Sequence, residues 1–210
     1  MLNFPSKTKV NIKVPKKSFY ENLTVSTANK RIFIDQISAI YWRYKLTADT
    51  LGVAASDSID EIEVFEIELA AKNFDSGILR LIDRGIPYHT VFILTYEDES
   101  QLYIAYKEKT GSDSLSVGSY YHTDFIPRES LDLSVSGLSL DEVYAAIFYQ
   151  VSGLQKDFSK PLKDVIICYE QRKKVEKEIE RLEKQLKRET QPKKKFELHQ
   201  EIQRMKKEMR

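Results

Sequence analysis

Three groups of residues in this 210-residue chain have types and spacing that could do chemistry. The first is acidic: Glu63, Glu66 and Glu68 fall within the segment 61–69. A Mg²⁺-dependent nuclease needs an Asp and a Glu on the ion and a lysine two residues after the second acid. The spacing here fails that test. The next basic residue after Glu68 is Lys72, and Tyr106-Lys107-Glu108-Lys109 puts acid and lysine together only at an expected strand end. Glu66 and Glu68 stay as catalytic candidates against the plainer reading of a solvated strand face. The second group is Tyr120-Tyr121-His122-Thr123-Asp124, where His122 stands two residues from Asp124 and could exchange protons. A loop histidine bonded to its neighbours is the plainer reading. The third group is basic: Lys7, Lys9, Lys13, Lys16, Lys17, Lys30 and Arg31 stand against one acid, Glu21. Such lysines can neutralise a phosphate backbone or meet an acidic partner without reading sequence. They can equally guard an edge strand against pairing with other chains.

Other chemistry finds little support. The histidines His89, His122 and His199 have no metal-ligand spacing to one another, and the single cysteine, Cys168, rules out a disulfide framework and a multi-thiolate zinc site. The seven glycines form no P-loop, no dinucleotide fingerprint and no nucleophile elbow. No metal and no cofactor are therefore expected, and a conventional enzyme is hard to place. With 41% hydrophobic and 11% aromatic residues the chain can build a core, which excludes wholly disordered classes. Lys plus Arg is 33 against 32 for Asp plus Glu, so any field that attracts nucleic acid must be local. No signal-peptide core and no stretch near the ~18 apolar residues of a membrane span is present, and a cytoplasmic protein in a reducing compartment is expected.

The elements that must position these groups follow from periodicity. The alternation in Val10-Asn11-Ile12-Lys13-Val14 predicts a short strand with one solvated face. Ser26 or Thr27 caps a helix predicted over 28–46, with Phe33, Ile37, Ile40, Tyr41 and Tyr44 on its stripe and Trp42 packing beside it. A strand over 61–69 changes phase between Val64 and Phe65, which predicts a bulge. A short helix over 76–84 stops at Gly85. Strands follow over 90–96, the expected sheet centre, and over 102–106, with others near 114–122 and 131–135. Ser139-Leu140-Asp141-Glu142 has the form of a capping box and opens a helix carrying Val143, Ile147, Val151 and Leu154. The class is α+β: one mixed or antiparallel sheet with packed helices.

A compositional boundary near Lys160-Pro161 divides a body, 1–160, from an arm, 161–210. The arm holds 16 Lys and Arg against 10 Asp and Glu, whereas the body holds 17 against 22. Val175, Ile179, Leu182 and Leu186 form an a/d seam, and Leu198, Ile202, Met205 and Met209 repeat it beyond Thr190-Gln191-Pro192. Folded back, Leu186 faces Phe196, Leu182 faces Leu198, Ile179 faces Ile202 and Val175 faces Met205. The expectation is a helical hairpin, an antiparallel coiled coil. The alternative is one kinked helix that dimerises through the same seam. A two-helix hairpin buries little, so it is expected to dock on a partner or a second copy.

Several stretches together resemble the domain of unknown function 4391 family of bacteria and archaea. They are Lys7-Thr8-Lys9-Val10, Val14-Pro15-Lys16-Lys17, Phe19-Tyr20, Lys30-Arg31, Asp35-Gln36-Ile37, Ile62-Glu63-Val64-Phe65-Glu66-Ile67, Ile82-Asp83, Ile86-Pro87-Tyr88-His89 and Tyr120-Tyr121-His122-Thr123-Asp124. The resemblance spans nearly the whole chain. It implies no assigned activity but does imply a context, since genes of this family often sit beside DNA methyltransferases and helicases of restriction-modification or phage-defence type. It also singles out Lys16, Lys17, Lys30, Arg31, Asp35, Glu66, Asp83, His89, His122 and Asp124 without giving any a role. The function expected is thus a non-catalytic accessory subunit of a DNA-modification or phage-defence complex. Its protein partner is a helicase or methyltransferase by resemblance, DNA contact and a homodimer are open, and no membrane is involved. The alternatives are a divergent metal-dependent nuclease and a stand-alone nucleic-acid-binding protein.

Overall fold

The computed structural model describes residues 2–22, 26–109, 115–157 and 159–209. The chain divides into two compact units, 1–155 and 156–210. In the first, strands β1 (Leu2–Asn3), β2 (Lys9–Val14), β3 (Ile37–Leu46), β4 (Ile62–Leu69), β5 (His89–Tyr96), β6 (Glu99–Lys109), β7 (Leu115–His122), β8 (Ile126–Pro127) and β9 (Leu133–Ser134) are joined by helices α1 (Lys17–Asn22), α2 (Thr27–Gln36), α3 (Ala48–Leu51), α4 (Gly77–Arg84) and α5 (Leu140–Ser152). Seven strands make one mixed sheet in the order β2-β3-β4-β5-β6-β7, with β8 paired to the start of β6; β1 and β9 make a separate parallel pair. The sheet is antiparallel except at β4–β5, which α4 connects in parallel. The class is α+β, as the periodicity predicts.

β5 sits inside the sheet and, with β4, is apolar enough to be covered on both faces. Phe65, Ile67, Leu69, Phe92 and Leu94 join Phe33 of α2 and Ile78, Leu79 and Ile82 of α4 in one core. Each such side chain, fully buried, contributes about 1.5–3 kcal/mol. The other face carries Ile62, Val64, Val91, Ile93, Leu102 and Ile104, all buried, and α5 packs against β6 and β7. The phase change in β4 is therefore two buried faces and not a bulge. The bulges lie on its neighbours. Trp42 and Tyr44 of β3 oppose the adjacent Phe65 and Val64, which leaves Arg43 as the extra residue. On β2, Lys9 and Ile12 oppose Tyr44 and Trp42, and Asn11 takes a left-handed φ of 58° there.

The helix expected over 28–46 is corrected. Helix α2 ends at Gln36, and Ile37-Ser38-Ala39-Ile40-Tyr41-Trp42 begins a ten-residue strand. β-branched and aromatic side chains fit a pleated surface better than a helix, and pairing to both β2 and β4 decides the matter. Trp42 packs against the α2/α4 core and stacks on Phe65, as boundary packing requires. The Nζ of Lys16 donates to the carbonyls of Ile37, at 2.6 Å, and Ile34, so this lysine closes the end of α2. β7 begins at Leu115; Ser114, where the strand was expected to start, lies outside the described residues. The Ser139 hydroxyl accepts from the Glu142 amide, but the Glu142 carboxylate accepts from Leu138 and leaves the expected box open.

The second unit is a helical pair, α6 (Leu162–Arg188) and α7 (Pro192–Glu208), with Pro192 in the first turn where it needs no N–H partner. Ile179, Leu182 and Ile202 are buried, with Val175, Leu186, Leu198, Met205 and Met209 packed around them. Lys206 reaches Glu183 at 2.7 Å across the pair. Phe196 does not join the seam; it is 62% exposed, so the expected facing of Leu186 and Phe196 is corrected. It stands two residues before Leu198, about 200° around the helix from it, and so faces away from the seam.

Candidate binding cleft

Adjacent bulges at Asn11 and Arg43 set up the site from the strands themselves. A bulge re-aims the side chain it carries. The Arg43 Nε donates to Glu66 Oε2 at 2.6 Å, and its Nη1 donates to the Asn11 side-chain oxygen. The guanidinium also lies 4.3 Å over the Tyr41 ring. From the other side, Arg128 Nη2 donates to Glu66 Oε1 at 2.7 Å, and Thr95 Oγ1 donates to the same oxygen at 3.2 Å. The Arg128 amide donates to the Asp98 carbonyl at 2.7 Å, which pins the 128–130 helical turn to the β5–β6 turn. Glu66 is thus a splint: its side chain is 6% exposed and both its oxygens hold a guanidinium. Charge-assisted bonds of this kind are worth about 1.5–3 kcal/mol each, and an unpaired carboxylate buried here would cost several.

Around this clamp lies an open cavity of about 880 Å³. Lys9, Asn11, Arg43 and Tyr44 line it from β2 and β3; Ile93 and Ser100 line it from β5 and β6; Asp98, Arg128 and Glu129 line it from the two pinned turns. Leu2 and Leu131 add apolar wall. That volume suits a small ligand or an inserted side-chain group.

A second polar cluster lies under α4 and is sealed. Asp83 and Lys107 form an ion pair of 2.5 Å with both side chains 0% exposed. Thr90 donates its hydroxyl to Asp83 Oδ1, and Tyr120 donates to Oδ2 at 2.6 Å. The Lys107 Nζ also reaches the carbonyls of Asp83, Ile86 and Tyr88. The Lys107 pKa is pushed down by burial and pulled back by Asp83, and the Tyr120 hydroxyl is pushed up by burial and by Asp83. Nearby Glu63 is raised to about 7, first by burial and then by the charge of Glu61, against Lys45 and Lys107. His89 Nε2 donates to the Lys107 carbonyl at 3.2 Å, since a carbonyl can only accept, and the ring meets Tyr144 edge-on. This network ties α4 to β5, β6 and β7, with the Asp83 and Lys107 side chains shut away from solvent.

The sequence candidates separate accordingly. Glu66 is in the cleft, engaged by arginines; Glu68 is one strand pleat away, opposite Ala39 and Thr95. His122 is exposed at the end of β7, stacked on Tyr103, with Nδ1 3.1 Å from the Gln101 amide nitrogen and 2.9 Å from the Thr123 carbonyl. Its neighbours and not Asp124 fix it, and Asp124 is exposed. Of the basic cluster, Lys9 reaches the cleft, Lys16 closes α2, Lys13 lies 5.8 Å over Tyr41, and Lys7, Lys17, Lys30 and Arg31 are exposed. Sequence reasoning missed Arg43, which sat inside a wrongly predicted helix, and Arg128, whose only local signal is the preceding Pro127. Among the described residues no group of three His, Cys, Asp or Glu side chains could hold a metal ion, and no helix is long and apolar enough to cross a membrane.

No curated protein and no solved structure matches the chain. The model of the family described as Domain of unknown function (DUF4391) matches residues 2–209, so with the fold and both polar clusters inside the matched span, the chain belongs to that family.

Proposed function

We propose that the protein is a non-catalytic binding subunit of a DNA-modification or phage-defence complex: the sheet-bearing body offers the Arg43–Glu66–Arg128 cleft, and the helical pair carries assembly. The observation behind this reading is the state of Glu66. The acid on which a nuclease reading depends has both oxygens committed to guanidinium groups, the arrangement of a binding cleft. The genomic context implied by the family resemblance supplies the class of complex, and the helical pair, a compact unit of its own held together by its buried seam, is the proposed assembly element. A helicase or a DNA methyltransferase is the proposed partner.

The test is affinity capture from the native host with wild-type protein and with the Leu182→Asp/Ile202→Asp variant, both full length. A helicase or methyltransferase retained by wild type and lost from the variant supports the proposal. Capture of neither by wild type overturns it.

A further inference from the structure

We infer that the cleft takes a phosphate monoester of a hydroxyl-bearing small group, the nucleoside monophosphate class, with its phosphate among Lys9, Arg43 and Arg128. This deepens the reading of the cleft as a binding site and rests on it. Glu66 engages only the Nε of Arg43 and the Nη2 of Arg128, and Arg43 Nη1 is held by Asn11. Arg43 keeps the donors of Nη2, and the half-exposed Arg128 keeps those of Nε and Nη1. The two guanidinium groups are held on either side of one buried carboxylate, so their spacing is fixed before a ligand arrives. Lys9 adds a third cation on the β2–β3 side. Three cations with fork-shaped donors on two of them suit the several oxygens of a phosphate better than a lone carboxylate.

The other residues select what the phosphate is attached to. Because β4 lies between β3 and β5, Lys9 and Arg43 stand across Glu66 from Arg128, whose turn also brings Asp98 and Glu129 to that end of the cavity. Carboxylates accept hydrogen bonds, so the ligand groups that reach them donate, as sugar hydroxyls or a base amine do. Tyr44, held edge-on by Phe4 at 5.0 Å, and Ile93 provide the apolar wall for a ring. A cavity of about 880 Å³ has room for one nucleotide.

The same chemistry has two sources, a free nucleotide or the 5′-phosphorylated end of a strand. Calorimetric titration of the full chain would use adenosine monophosphate, ribose 5-phosphate, adenosine, citrate, and a hexanucleotide with and without its 5′-phosphate. The expected result is binding of the phosphate esters, with adenosine and citrate at least tenfold weaker. Preference for adenosine monophosphate over the hexanucleotides assigns the free nucleotide; preference for the 5′-phosphorylated strand over its 5′-hydroxyl form assigns the strand end. Lys9→Ala and Arg128→Gln should each weaken binding at least fivefold, whereas Lys7→Ala, outside the cavity, should not. Arg43 is left intact because its loss strands Glu66 Oε2, whereas Oε1 keeps the Thr95 hydroxyl when the half-exposed Arg128 is changed. Failure of every phosphate ester at millimolar concentration, binding of citrate as tight as that of the esters, or binding indifferent to Lys9 and Arg128 would overturn the inference. If the captured partner is still retained in that case, the ligand class alone falls and the binding-subunit reading stands.

Discussion

At the scale of single residues, charge burial sets the strongest expectations. Glu63, raised to about 7 mainly by burial, holds its proton in the folded chain at pH values where the unfolded chain has lost it. Stability from this group is therefore complete below about pH 4.5 and declines as pH rises toward 7, because the folded state binds the extra proton. Glu63→Gln removes that decline. Thermal unfolding of the two proteins from pH 5 to pH 8 should show the variant gaining on wild type by up to about 3 kcal/mol at the alkaline end; a constant difference across the range would contradict it. The Asp83–Lys107 pair gives the opposite lesson. Lys107→Met leaves Asp83 buried without its cation, and denaturant unfolding should show a loss of about 3–5 kcal/mol. The double change Asp83→Leu/Lys107→Met should recover part of that loss, since what costs most is the stranded partner.

At the scale of elements, local periodicity and pairing competed, and pairing won where the two disagreed. The helical pair was legible: a strict a/d spacing and Pro192 at a helix start fixed both helices and most of the seam. Segment 37–46 was not. Its apolar residues at three-four spacing read as a helix stripe, yet strand neighbours on both sides outweigh that pattern. The bulges at Asn11 and Arg43 leave no sequence signature beyond one asparagine, because a bulge is a property of two strands in register. Hence the arginine clamp was invisible while its carboxylate, Glu66, was already a candidate. Two substitutions check the packing of the helical pair. Leu182→Ala should lower its unfolding free energy by about 2–4 kcal/mol, and Phe196→Ala, on an exposed side chain, should stay within about 0.5 kcal/mol. Helix content followed by circular dichroism against denaturant would separate the two; equal losses would place Phe196 in the seam after all. Gly137, with φ of 147°, is a second checkpoint: a Cβ there would stand 2.7 Å from that of Glu142. Gly137→Ala should therefore destabilise the start of α5 by roughly 1–3 kcal/mol in the same measurement.

For the whole molecule, composition indicated a folded chain and the periodicity of its elements an α+β class, and the family match over residues 2–209 agrees with the resemblance in its ordered segments. What the chain as a whole does turns on whether Glu66, a buried strand carboxylate facing the cavity, serves arginines or a metal ion. Glu66 joins two distant segments, β3 and the 128–130 turn, across the floor of that cavity. Incubating full-length wild type and Glu66→Gln with supercoiled plasmid and Mg²⁺ or Mn²⁺ asks this directly. The plasmid should stay supercoiled with both proteins at micromolar concentration. Nicking by wild type that disappears in Glu66→Gln would contradict the account and make Glu66 a metal ligand in a nuclease.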